Sequence, residues 1–342
     1  MGLTIPPPFK ILPPTLINGG PMMKVAGRFI FALFLFAVTS LLSSAAAKPD
    51  RQVAITIDDL PAASANTMPT ATMTEMTAKL LGTIRDQKVP LVGFVNEKKL
   101  YKLGEVDERI NALKMWMDYG FELGNHTFAH TSLNKVPLPV WEEEVVRGET
   151  VTSMLMAQHN MKLRYLRHPY LDTGRDLETR RQAEAFLAQR GYRIAPITLD
   201  AWDWMYATVY EDAKKRGDSA LQKRLADSYL AYSDQVFAYT EQLSVRVVGY
   251  EPKQILLIHA NQLEADHIGE LFDLFRRRGY RFITLEDALS DPAYSLPDTY
   301  VGEEGTGWID HWAITMGKPA QGSPEFPQWV IDLAKPLRQP QP

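Results

Sequence analysis

The chain contains no cysteine in 342 residues. That absence excludes disulfides, thiolate-held zinc, iron–sulfur clusters and thiol catalysis, so any metal must rest on nitrogen and oxygen donors. No glycine-rich phosphate loop follows the first strand-like run, which weighs against nucleotide binding. Nor does any apolar stretch reach the about 20 residues a membrane-spanning helix needs. The stretch from Phe29 to Leu42 follows Lys24 and Arg28 and precedes Ala45-Ala46-Ala47. That order is a charged n-region, an h-region of roughly 7–15 residues and an A-x-A cleavage site. Residues 1–47 are therefore expected to be a leader and signal peptide, making the chain periplasmic or secreted. A retained N-terminal anchor is the alternative, and Met22 or Met23 are alternative starts.

Positive charge is also in short supply: 37 Lys and Arg stand against 41 Asp and Glu. The leader holds Lys10, Lys24 and Arg28 and no acid, so the remainder is more acidic still. An acidic exported chain is a poor partner for nucleic acid or anionic lipid, and no stable membrane insertion of the mature chain is expected.

What the sequence does have is alternation. Strand-like runs and helical stripes follow one another from Gln52 to about Leu289. Val53-Ala54-Ile55-Thr56-Ile57 reads as a strand buried on both faces. Met76, Leu80, Leu81 and Ile84 mark a helix face, as do Ile268, Leu271, Phe272 and Phe275. A helix is expected from about Pro139 to Gln158. The pattern argues for βα units around a mainly parallel sheet, a barrel in preference to a doubly wound open sheet. Residues 205–250 interrupt it with a charged helical stretch, read as a solvated hairpin packed on the barrel or, more sharply, as a lid. Residues 291–342 are rich in Pro and Gly but carry Trp308, Trp312 and Trp329, so an irregular packed extension is expected. There is no internal repeat or low-complexity block.

Chemistry concentrates at the strand ends. Asp58 and Asp59 close the first strand, where two carboxylates are costly to desolvate unless a metal, a cation or hydrogen bonds compensate them. Neighbours on a strand point to opposite sides, so both can face one cavity only if the strand is distorted there. That geometry is poor for a glycosidase, whose carboxyls stand about 5–5.5 or 6.5–9.5 Å apart. A division of labour, one carboxylate on metal and one on a proton, fits better. His126 and His130 stand four apart, so a single helical turn would point both the same way. Thr127 and Phe128 occupy the positions where a zincin has Glu-x. Two imidazoles plus one carboxylate make a plausible catalytic zinc set.

Thr56-Ile57-Asp58-Asp59, His126-Thr-Phe-Ala-His130, Arg167-His168-Pro169-Tyr170, Asp200-Ala-Trp-Asp203-Trp204 and Leu256-Leu-Ile-His259 occur in this order. Together they resemble the five motifs of the polysaccharide deacetylase, or NodB-homology, family. The resemblance implies a distorted (β/α)7 barrel over residues 48–290, with the helical insertion and the C-terminal extension as additions. It implies Asp58 as general base, and Asp59, His126 and His130 as ligands of a divalent metal, Zn2+ for preference. It further implies Arg167 as partner of the base, His259 as general acid and Asp200 as the carboxylate orienting it. Tyr170, Trp204 and Asp203 are implied as substrate-binding, with Tyr170 also giving its backbone N–H to the oxyanion. The implied activity is removal of N-acetyl groups from an amino-sugar polymer or oligomer, peptidoglycan or chitin-like, so the partner is an N-acetylated glycan. Hydrolysis of a different N-acyl or O-acyl substrate on the same barrel, or carbohydrate binding without catalysis, are the alternatives. Leu60 and Pro61 stand where the family has Gly next, and His168 and Leu171 replace the usual Pro and Gly, so the rim is expected to differ. His159, His267 and His311 are expected to be surface or hydrogen-bonded residues. His168 could line the site or pack, and Trp202 is expected in the core.

Overall fold

The computed structural model describes residues 50–318 and 320–337. The leader expected over residues 1–47 lies outside the described residues. In chain order the elements are β1 (Arg51–Leu60), α1 (Thr70–Asp86), β2 (Leu91–Val95), α2 (Val106–Asp118), β3 (Glu122–Asn125), α3 (Leu138–Arg147) and α4 (Thr150–Gln158). Then come β4 (Tyr165–Leu166), α5 (Leu177–Gln189), β5 (Arg193–Ile194), β6 (Leu199–Asp200), α6 (Asp203–Lys215) and α7 (Ser219–Val248). The remainder is β7 (Gln254–His259), α8 (Gln262–Arg277), β8 (Tyr280–Ile283), α9 (Leu285–Ala288), α10 (Trp308–Thr315) and α11 (Gln328–Ala334).

β1 is the axis of the sheet. Its continuous apolar run is buried throughout from Val53 to Ile57, as a strand covered on both faces must be. One edge pairs with β7 from Val53 to Asp58. The other edge is shared: β8 pairs along Arg51 to Ala54 and β2 along Ile55 to Leu60. The full order is β5-β4-β3-β2-β1-β7-β6 with β8 on β1, and every pairing is parallel. No pairing joins β5 to β6 among the described residues, so the (β/α) barrel is incomplete there. β4, β5 and β6 are only two residues long, which is where the distortion of the barrel sits.

The two predicted helix stripes, Met76 to Ile84 on α1 and Ile268 to Phe275 on α8, are buried in the main core, and α1 packs directly on α8. The single helix expected over 139–158 is two. Gly148 divides α3 from α4, and a Cβ there would lie 2.9 Å from Asn125 Oδ1 and 3.0 Å from the Phe128 nitrogen. The break lets the chain following β3 come close.

The segment expected as a helical hairpin is one. Its charged appearance comes from one face, Lys214-Lys215-Arg216 among it; the other buries Tyr206, Tyr210, Tyr229, Tyr232 and Phe237. α6 packs on α7 and α8. The C-terminal extension is more regular than expected: α10 packs on α7 and α11 on α6. Trp308 and Trp312 are buried, and Arg224 lies 4.0 Å over the ring of Trp329. Among the described residues no helix is long and apolar enough to cross a membrane.

Candidate active site

The distortion that the Asp58–Asp59 pair requires is present. Ile57 pairs with Gly93 but Leu60 with Val95, so β1 spends one residue more than β2 over this interval. Asp59 takes a left-handed φ of 71°, and a bulge of this kind re-aims a side chain. Six of the eight described non-glycine residues with positive φ are Asp59, Thr127, His130, Tyr170, Leu171 and Trp202. All belong to the strand-end segments, where strain accompanies function more often than elsewhere.

Asp58 is buried. Its Oδ2 lies 3.3 Å from Arg167 Nη1 and 3.7 Å from His126 Nε2, while Oδ1 has no hydrogen-bond partner. Burial outweighs the attraction of Arg167 and His259 and pushes the carboxyl up to about 6. Arg167 is itself buried and pinned, with Nε on the Ala195 carbonyl at 2.6 Å and Nη2 on Thr56 Oγ1 at 2.8 Å.

The ligating atoms of Asp59, His126 and His130 all lie within 4.8 Å of one another. His126 Nδ1 is 2.8 Å from the Arg167 carbonyl. A carbonyl only accepts, so Nδ1 carries the hydrogen and Nε2 presents its lone pair. Burial holds the His126 imidazole well below its usual range, and pushes His130 down to about 4 despite Asp59. Burial raises Asp59, but Lys99 and the histidines pull its carboxyl well below the ordinary range. Neutral imidazoles beside an ionised carboxylate are the protonation states a divalent cation needs.

The histidine pair does not ride on a helical turn as expected. Residues 126–130 form a loop with Thr127 and His130 both left-handed. Its backbone is bonded elsewhere: Thr127 N–H to Asn125 Oδ1, Phe128 N–H to the Glu144 carbonyl and Ala129 N–H to Glu144 Oε2. The chelate geometry comes from those anchors.

His259 ends β7 directly beside Asp58 in register. Its Nδ1 lies 2.8 Å from Asp203 Oδ1, and its backbone N–H donates to Asp203 Oδ2 at 2.9 Å. Burial disfavours the imidazolium, but Asp203, with Asp59 and Asp58, raises it to about 10. Two assignments are thereby corrected. The carboxylate in contact with His259 is Asp203, not Asp200. Asp203, expected among the substrate-binding residues, is instead fully buried and also accepts from Asn261 Nδ2 at 2.7 Å. Asp200 Oδ1 accepts the Trp202 N–H at 2.8 Å, and burial pushes its carboxyl up to about 6. The reason is where the helix begins: Trp202 turns left-handed at φ 54°, and α6 starts at Asp203 beside β7.

That same turn reverses the expectation for Trp202, which is 42% exposed. Its ring tilts against Trp204 and against Phe326 of the C-terminal extension, while Trp204 is half-buried against the main core. Tyr170 is 44% exposed with its ring 4.4 Å from that of His130. His168 packs, stacked on Trp141 at 5.2 Å. His311 is fully buried and bonded to Asp298, His267 bonds Tyr210 and Glu270, and His159 stands 3.7 Å from Asp118.

Two features carried no sequence signal. Lys99 Nζ lies 2.8 Å from Asp59 Oδ1. Gly305 presses on the Tyr170 turn so closely that a Cβ would fall 2.2 Å from the Leu171 carbonyl carbon, and its N–H donates to Asp172 Oδ1 at 2.8 Å.

None of the curated proteins matches the chain. Among solved structures, one that overlaps is a mutant, with restored activity, of a family 4 carbohydrate-esterase pseudoenzyme from Bacillus anthracis, at 20% identity and TM-score 0.47, over 71% of this chain and 69% of that one. A polysaccharide deacetylase from Bacillus cereus overlaps at 17% identity and TM-score 0.47, over 68% and 91%. A family 4 carbohydrate esterase from Streptomyces lividans in complex with acetate overlaps at 16% and 0.44, over 70% and 96%. The sequence pattern of the polysaccharide deacetylase family matches residues 45–190, the stretch that carries Asp58, Asp59, His126, His130 and Arg167, so that part of the chain is similar to that family.

Proposed function

We propose that this protein is an exported, metal-dependent hydrolase that removes N-acetyl groups from an amino-sugar polymer or oligomer, peptidoglycan or chitin-like. The observation that carries the reading is the meeting of Asp58 and His259 as register partners beside the Asp59–His126–His130 donor set. Two nitrogens and one carboxylate oxygen suit Zn2+, which when bound would acidify a water and polarise the acetamide oxygen.

The chain's own residues divide the remaining work. Asp58, ionised near neutrality, takes the proton of the water that attacks the acetamide carbonyl. Arg167 keeps that buried carboxylate charged and aimed. His259, cationic because Asp203 stands behind it, gives a proton to the departing nitrogen as the C–N bond breaks. The products are acetate and a free amino sugar. An amine is a poor leaving group, which is why an acid is needed at all. Export rests on the signal-like order of residues 24–47. The substrate reading extends the family's activity to this chain.

The rim favours one second reading, hydrolysis of a different N-acyl or O-acyl substrate. Gly305, outside the family match, closes on the Tyr170 turn. The deciding experiment is acetate release by the Zn2+-loaded chain from N-acetylglucosamine oligomers and acetylated peptidoglycan, with Asp58→Asn as control. Release by the wild type alone supports the proposal. No release from any N-acetylated glycan, with turnover of other acyl substrates, replaces it with the second reading.

A further inference from the structure

Lys99 stands on the 3-10 turn Glu97–Leu100 that follows β2, and its mounting is stiff. Its carbonyl accepts from the buried Arg109 at 2.6 Å. The preceding Asn96 side chain donates to the His126 carbonyl at 2.6 Å, and Glu97 accepts the Thr152 N–H and hydroxyl at 2.7 and 2.8 Å. From this turn the side chain, only 13% exposed, reaches Asp59 twice: Nζ is 2.8 Å from Oδ1 and 3.1 Å from the backbone carbonyl. The same Oδ1 lies 3.8 Å from His130 Nε2. One carboxylate oxygen therefore faces both an imidazole nitrogen and an ammonium.

We propose that Lys99 is a resident counter-cation of the metal site, sharing the Asp59 carboxylate and so weakening the chain's hold on a divalent ion. The inference rests on the metal reading of Asp59, His126 and His130 given above. A fixed ammonium beside a dication is repulsive, and with so little exposure it is poorly screened. A carboxylate already accepting from an ammonium also has less to give a metal. A lysine that merely propped Asp59 in place would have the opposite effect: its removal would loosen the ligand and weaken binding.

The sign of the change separates the two roles. The full chain is stripped of metal and titrated with Zn2+ alone against a chromogenic chelator, as wild type, Lys99→Gln, Lys99→Met, Lys99→Arg and His126→Ala. The expected result is Zn2+ binding at least about tenfold tighter in both neutral variants, about 1.4 kcal/mol, with Lys99→Arg close to wild type. In the metal-free state the neutral variants should melt below wild type, because Asp59 loses its cation. Folded Gln and Met variants that bind Zn2+ equally or more weakly overturn the inference, while loss of binding in His126→Ala leaves the site itself standing. Absence of Zn2+ binding in every form overturns the metal reading, and this inference with it.

Discussion

Asp203 grips His259 at two points, Oδ1 on the ring Nδ1 at 2.8 Å and Oδ2 on the backbone N–H at 2.9 Å. A two-point grip fixes both the ring's rotation and its charge, and the nitrogen left to deliver a proton is Nε2. Since burial alone would push the imidazole down, the cation exists because Asp203 outweighs that penalty.

Asp203→Asn should therefore lower kcat by about 10²–10⁴-fold, with Asp200→Asn losing far less. As the proposed acid, His259 serves only while protonated, so activity should fall as pH rises through its pKa. That descending limb should move toward lower pH in Asp203→Asn, which a pH profile of kcat measures.

Arg167→Met should move the opposite limb. As the proposed base, Asp58 serves only when ionised, above a pKa raised to about 6. Removing the cation that draws it down sends it higher, so the ascending limb of kcat/KM shifts to higher pH. A buried carboxylate left without its partner should also cost about 3 kcal/mol in urea unfolding.

Metal and chemistry should separate cleanly. His126→Ala is expected to lose more than about 100-fold in Zn2+ affinity, and turnover with it. Asp58→Asn should keep the metal and lose turnover, as elemental analysis paired with acetate release will show. Chelation of the wild type should abolish activity, and added Zn2+ should restore it.

Gly305→Ala tests the contact between the C-terminal extension and the Tyr170 turn. With a Cβ 2.2 to 2.4 Å from Leu171 and Tyr170 backbone atoms, something must shift. Overpacking of this kind costs about 1–3 kcal/mol, readable as a lower midpoint in urea.

Much of this was legible in the sequence. The uninterrupted apolar run of β1 announced a strand covered on both faces, and the carboxylate pair behind it required a distortion that the Ile57–Leu60 bulge supplies. His126, His130 and Arg167 each follow a strand and His259 ends one, and parallel strands bring such ends together. What stayed hidden depended on a single dihedral or a long reach. Asp200 and Asp203 are three residues apart on the way into a helix, and only the left-handed turn at Trp202 decides which one meets His259. The same turn sends Trp202 outward. Lys99 carries no local pattern at all; its role arises where the Glu97–Leu100 turn is tied down against the His126 loop.

Asp203 is also the opening residue of the α6–α7 hairpin, and that location constrains any redesign of the protein. Trimming the chain to a bare barrel by excising the hairpin would remove the anion that keeps His259 charged. The shortened product should retain its metal donors yet be unable to release an amine, so this addition cannot be discarded as decoration.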